Sequence, residues 1–232
     1  MKGEKVARWL MLASGSAMCA GEAAAGAWTQ PSGHSQSINS VSRERGPSGE
    51  IWRTDSLGEY GLAENWGGRL RLESQLTLDE GPGDKLSVEA GIQRAFRLRP
   101  RNSLQVSASL LAGEALEGPD CRGGGYETRL GLGQSFALGG REGFVVVEGA
   151  LRSRGSACER IVTEAAVGTQ LGLGFRTIAK AYTEQGDGAR SAKVEAMLLY
   201  DYKKYSLGFG YRREISGAFK EEGWVVSVWQ RF

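Results

Sequence analysis

Along Gly67-Gly68-Arg69-Leu70-Arg71-Leu72-Glu73-Ser74-Gln75-Leu76-Thr77-Leu78 the chemistry of the side chains changes at every step. Leu70, Leu72, Ser74, Leu76 and Leu78 fall on one face, and Arg69, Arg71, Glu73, Gln75 and Thr77 on the other. Neighbours in a strand point to opposite faces, whereas a helix would repeat its apolar stripe every three to four residues, so the stretch predicts a strand with one apolar and one wet face. After the turn Glu80-Gly81-Pro82-Gly83-Asp84 the pattern returns, with Leu86, Val88, Ala90 and Ile92 opposed to Glu89, Gln93 and Arg97. Two such segments fit a hairpin of a soluble sandwich as well as they fit part of a barrel.

The segments that follow, 104–112, 126–138, 144–152, 161–171, 175–184, 192–200, 205–213 and 224–232, weigh against the sandwich. Each is long enough for a tilted strand to cross a bilayer, which takes about 9–11 residues. Two more polar segments, 35–42 and 51–61, bring the count to about 12 strands, an even number that returns both ends of the chain to one side. Trp52-Arg53-Thr54-Asp55-Ser56-Leu57 is too polar to establish its own alternation, and without this pair the count is about ten. The expectation is an all-β fold, a transmembrane antiparallel up-and-down β-barrel. With the N-terminus on the periplasmic side, the short connections 98–102, 138–141, 172–174 and 201–204 are periplasmic, and 113–124, 154–159, 185–190 and 216–223 are extracellular.

Composition agrees, with 35 glycines and only 5 prolines among 232 residues, a balance suited to many strands. Past Trp28 no run of about 18 apolar residues occurs, so a membrane reading requires a barrel. Lys2 and Lys5, an apolar stretch at 9–20 and small residues at 23–27 read as an export signal cut after Ala25 or Ala27. Residues 1–27 are then a signal peptide and 28–232 the barrel. Cys19 leaves with the signal, while lipid attachment at Ser16-Ala17-Met18-Cys19 is disfavoured by Met18, where a small residue ordinarily stands. Cys121 and Cys158 fall in two connections on the same extracellular side, which favours a disulfide over two free thiols in an exported chain.

The wet faces collect into an interior. Arg69, Arg71, Glu73 and Glu89 come from the first clear hairpin, Glu127, Arg129, Glu148 and Arg152 from the next, and Arg176, Lys180, Lys193, Glu195 and Arg212 from the last third. Two readings stay open: these groups line a narrow aqueous path for small solutes, or they pair across the bore and fill it. The 29 basic and 27 acidic residues are interleaved, which leaves no basic stripe for nucleic acid. Aromatics near strand ends form the expected interfacial girdles: Phe96, Phe136, Phe144, Phe175 and Tyr205 towards the periplasm, Tyr126, Tyr182 and Trp224 towards the outside.

No enzyme activity, cofactor or metal is expected. The single histidine, His34, lies beside Ser35 near the start of the barrel, no Gly-x-Ser-x-Gly elbow occurs, and paired carboxylates such as Glu127 and Glu148 face arginines. Gly123-Gly124-Gly125 reads as a turn or bulge rather than a ligand loop.

The last segment, Trp224-Val225-Val226-Ser227-Val228-Trp229-Gln230-Arg231-Phe232, resembles the C-terminal signature of bacterial outer-membrane barrel proteins. That resemblance implies outer-membrane lipid and the barrel-assembly machinery as partners, with Val226, Val228 and Phe232 as the assembly signal; Gln230 departs from the pattern, where an aromatic is commoner. Ala27-Trp28-Thr29-Gln30-Pro31 followed by Gly33 is similar to the opening of outer-membrane proteins related to transporters of the phenol meta-degradation pathway.

Overall fold

The computed structural model describes residues 28–46, 49–78, 83–116, 121–155, 158–187, 189–217 and 220–232. The expected signal peptide, its cleavage points, the lipid-attachment site and the turn at Pro82 lie outside the described residues. Among the described residues there are twelve strands: β1 (Ser35–Gly46), β2 (Gly49–Ala63), β3 (Trp66–Thr77), β4 (Lys85–Arg99), β5 (Asn102–Gly113), β6 (Gly125–Leu138), β7 (Arg141–Arg154), β8 (Cys158–Gly172), β9 (Phe175–Gly186), β10 (Ala189–Tyr202), β11 (Tyr205–Gly217) and β12 (Glu222–Arg231). Each pairs antiparallel with its neighbours in sequence, and β12 pairs with β1 from Gln36↔Arg231 to Arg45↔Glu222, closing a single barrel. Closure leaves no free edge and no second sheet, which excludes the sandwich.

The two polar segments are full members of the sheet and run longer than their pattern implied, to 35–46 and 49–63. Their ladders are completed from both sides, β1 by β12 and β2 by β3, so the backbone forms strand where the side chains give little contrast. At the seam the Phe232 amide donates to the Ser35 carbonyl at 2.9 Å, which places both ends of the barrel chain at one rim, here called the terminal end. Connections there are two residues long, as at Glu64-Asn65 and Lys203-Lys204, where Asn65 and Lys203 take positive φ of 62° and 55°, the geometry of tight hairpin turns.

The alternation resolves into two chemically distinct surfaces. On β6, Leu130 and Leu132 are 52% and 53% exposed on the outside, while Arg129, the residue just before them, is 5% exposed on the inside. Leu70, Leu72, Ile92, Val147, Leu207 and Phe209 continue the apolar outer band round the barrel. Exposed apolar surface on this scale suits lipid and not water.

Candidate functional site: the barrel interior

The charged residues singled out from the sequence all point into the bore, and most are bridged to one another. Glu127 on β6 accepts from Arg129 and from its register partner Arg152 on β7, each at 2.8 Å, and Arg129 reaches on to Glu148 at 2.8 Å. Glu127 and Glu148 are therefore held by one guanidinium rather than poised as an acid/base pair. On the opposite wall Arg212 of β11 bridges Glu195, its register partner on β10, at 2.6 Å and Glu44 on β1 at 3.1 Å. Lys180 lies 3.6 Å from Glu195, and Lys193 lies 2.9 Å from Glu221. Between these walls Arg71 contacts Asp55 at 2.7 Å and Glu73 at 3.2 Å, Arg69 lies 3.3 Å from Glu89, and Arg176 lies 3.0 Å from Asp201. Charge held inside a barrel is tolerated because it is paired, and a strand period of two supplies the pairs by setting opposite signs across neighbouring strands.

Sequence reading missed part of this interior. Glu44, Arg53, Asp55 and Glu59 come from the two polar strands, where alternation gave no clear face, yet counting by twos back from the seam places them inside. Arg154, two residues past Arg152, donates to the Ser87 hydroxyl at 2.6 Å and to the carbonyls of Ala112 and Gly113. Two girdle assignments are corrected. Tyr182 and Phe144 were expected at the lipid interfaces, but Tyr182 shares the inward face of β9 with Arg176, Ile178 and Lys180, and Phe144 that of β7 with Val146 and Glu148. Parity along the strand, not nearness to its end, sets the direction. Gly168 on β8 lacks the Cβ that would run into the Phe144 ring.

At the loop end Ala115 and Leu116, just past β5, lie over the bore. Cys121 and Cys158 form a disulfide with their Cα atoms 5.7 Å apart, packed with Ala115, and Arg160 beneath it donates to the Cys121 sulfur at 2.8 Å. Leu116 of the same segment faces a cavity of about 130 Å³ that also contacts Arg53, Arg129, Arg152 and Lys193. Deeper in lies a cavity of about 80 Å³, and both touch Asp55, Arg71, Glu164, Tyr182 and Arg212. At about 30 Å³ per water these spaces hold a few molecules each.

The terminal half differs. Ile178, Met197, Leu199, Val225 and Trp229 form an apolar patch inside the wall, joined by Ile38 and Phe144, with the Arg176 guanidinium 5.1 Å from the Trp229 ring centroid. Across the mouth lies the segment 28–34. Trp28 packs against Val146 and Ala166, and the Gly33 amide donates to the Gly61 carbonyl at 2.9 Å. The Pro31 carbonyl sits where a Cβ at Gly61 would stand. His34 is exposed at this rim with Nδ1 3.3 Å from the Ser32 carbonyl, and it has no hydrogen bond to the Ser35 hydroxyl.

The C-terminal residues Val226 and Val228 face outward on β12, and Phe232 is exposed at the terminal rim.

No family model matches the sequence, and no curated protein matches it. Among solved structures the chain is similar to the KdgM porin, at 10% identity and a TM-score of 0.63 over 85% of this chain and 99% of that one. It is similar also to an outer-membrane channel from Pseudomonas putida F1, at 13% identity and TM-score 0.55 over 89% and 98% of the two chains. The NanC porin gives 13% identity and TM-score 0.57 over 83% and 98%. Likeness at these identities shows the fold, that of the outer-membrane porin barrels.

Proposed function

We propose that this chain is a bacterial outer-membrane channel that passes small polar solutes along a narrow, mixed-charge path. The observation that carries the reading is a closed barrel, apolar outside, whose interior cavities are lined by ionised side chains of both signs. Arg69, Arg71, Glu73, Glu89, Glu127, Arg129, Glu148, Arg152, Lys180, Lys193, Glu195 and Arg212 set the field along the upper path, and Arg176 stands at its terminal end. Interleaved signs suit neutral or zwitterionic solutes better than a polyanion. The KdgM porin has also been solved in complex with oligogalacturonate, a polyanion, which makes anionic solutes the contrast to include in a screen of this chain. The reading is non-catalytic: Glu127 and Glu148 are neutralised by Arg129, and His34 stands outside the bore. Val226, Val228 and Phe232 serve as the signal read by the assembly machinery.

The test is swelling of vesicles carrying the folded protein in isosmotic solutions of small neutral, zwitterionic and anionic solutes. Swelling that falls with solute size and is least for anions of high charge supports the reading. A protein that inserts and admits none of them is a closed scaffold, and the proposal fails.

A further inference from the structure

The outer surface treats its cations differently at its two ends. At the loop end they meet carboxylates: Arg43 lies 2.6 Å from Glu50, and Arg213 lies 3.7 Å from Glu222. At the terminal end they meet aromatic faces instead. Lys203 stands 5.2 Å from the Tyr202 ring centroid and Lys204 6.0 Å from that of Phe232. The most developed case is Arg94 on β4. Its outward neighbours along the strand, Ile92 and Phe96, face lipid, and its register partner on β3 is Trp66. The guanidinium lies 5.1 Å from the Trp66 ring and 4.8 Å from the Phe96 ring, so two π faces flank it.

Stacking holds the plane of a guanidinium and leaves its N–H donors at the edge. Arg94 has no carboxylate, carbonyl or hydroxyl partner among the described residues, and neither has the Trp66 indole N–H. A cation and a second donor, fixed side by side at the level of the aromatic girdle and without a protein acceptor, call for an acceptor from the surroundings. At that level the surroundings are lipid headgroups, whose phosphate oxygens match the guanidinium fork.

We propose that Arg94, Trp66 and Phe96 form a binding site for the phosphate of an anionic phospholipid at the terminal end of the barrel. Arg94 supplies the charge-assisted hydrogen bonds, the indole N–H a further one, and the two rings prevent the guanidinium from turning away. An anionic headgroup is preferred because a choline ammonium beside the phosphate would be repelled by the same arginine. The inference rests on the barrel being embedded in lipid.

The experiment is lipid retention by the folded protein in non-ionic detergent, counted by native mass spectrometry during titration with phosphatidylglycerol. Wild type is expected to hold one phosphatidylglycerol more tightly than the rest, and Arg94→Gln to weaken that step at least about tenfold, the loss of the guanidinium's charge-assisted hydrogen bonds. Arg94→Lys, which keeps the charge without the planar fork, is expected to fall between. Unchanged heat-modifiable mobility of each variant shows that the barrel is intact. Equal retention by wild type and Arg94→Gln overturns the site, as does equal retention of phosphatidylcholine, and displacement by millimolar inorganic phosphate would make it a free-anion site instead. A protein that stays soluble without detergent and takes up no lipid would refute the membrane reading itself.

Discussion

Replacing Glu127 by Gln keeps the size of a buried side chain and removes its charge. Glu127 is 2% exposed and both its oxygens are engaged: Oε1 accepts from Arg129 at Nε (2.9 Å) and Nη2 (2.8 Å), and Oε2 accepts from Arg152 Nε at 2.8 Å. A glutamine in that place offers one acceptor and turns an NH₂ donor on the other guanidinium. Arg129 keeps Glu148, but Arg152 loses the only carboxylate within ion-pair distance among the described residues, and its side chain is 10% exposed. Removing one partner of a buried pair costs about 3–5 kcal/mol, and the residual hydration of Arg152 and the second partner of Arg129 place this case near about 3 kcal/mol. The gauge is reversible denaturant unfolding in lipid vesicles, read by heat-modifiable mobility. Adding Arg152→Gln removes the stranded charge, so the double variant should recover part of the loss, with a coupling of about 1–3 kcal/mol. A single variant within about 0.5 kcal/mol of wild type, or a strictly additive cycle, would refute the idea that the pairs hold the interior together.

Leu132→Arg places a charge at mid-strand on the outer band and should destabilise the inserted barrel by about 2–4 kcal/mol, against a negligible cost if that face met water; the same vesicle unfolding distinguishes the two. Replacing Cys121 and Cys158 together by Ser opens a link between residues 37 apart and should lower stability by about 3–4 kcal/mol while leaving the strand signal in circular dichroism unchanged. Gly61→Val puts a side chain where the Pro31 carbonyl lies, which should expel the segment 28–34 from the mouth and raise conductance without unfolding the barrel; equal currents would show that the segment does not limit flow.

How much of this was legible follows from contrast between the two faces of each strand. On β3 to β6 and on β12 the outer positions are apolar in most places, aliphatic or aromatic, and alternation alone located strands and sides. On β1 and β2 the outer positions include Ser37, Asn39, Thr54 and Ser56, so both faces look polar, and the inward Glu44, Arg53, Asp55 and Glu59 were lost with them. The strand ladder, which supplies the missing information, is a long-range property of β12 and β3 and leaves no mark in the local sequence. The same limit explains Tyr182 and Phe144, where nearness to a turn suggested lipid and register placed them inside. Which charges pair was partly readable, since Glu127↔Arg152 and Glu195↔Arg212 are register partners, whereas Arg53 with Glu221 depends on a loop folding inward. That 28–34 turns back across the mouth had no sequence signal at all.

An open path through the paired interior is tested by single-channel current through the folded protein in a planar bilayer, recorded for wild type and for Gly61→Val. Expected for an open path are discrete ohmic steps with weak preference between cations and anions, larger in the variant. Correctly inserted barrels that stay silent in both forms would contradict it, and would make the paired interior a filled core rather than a path.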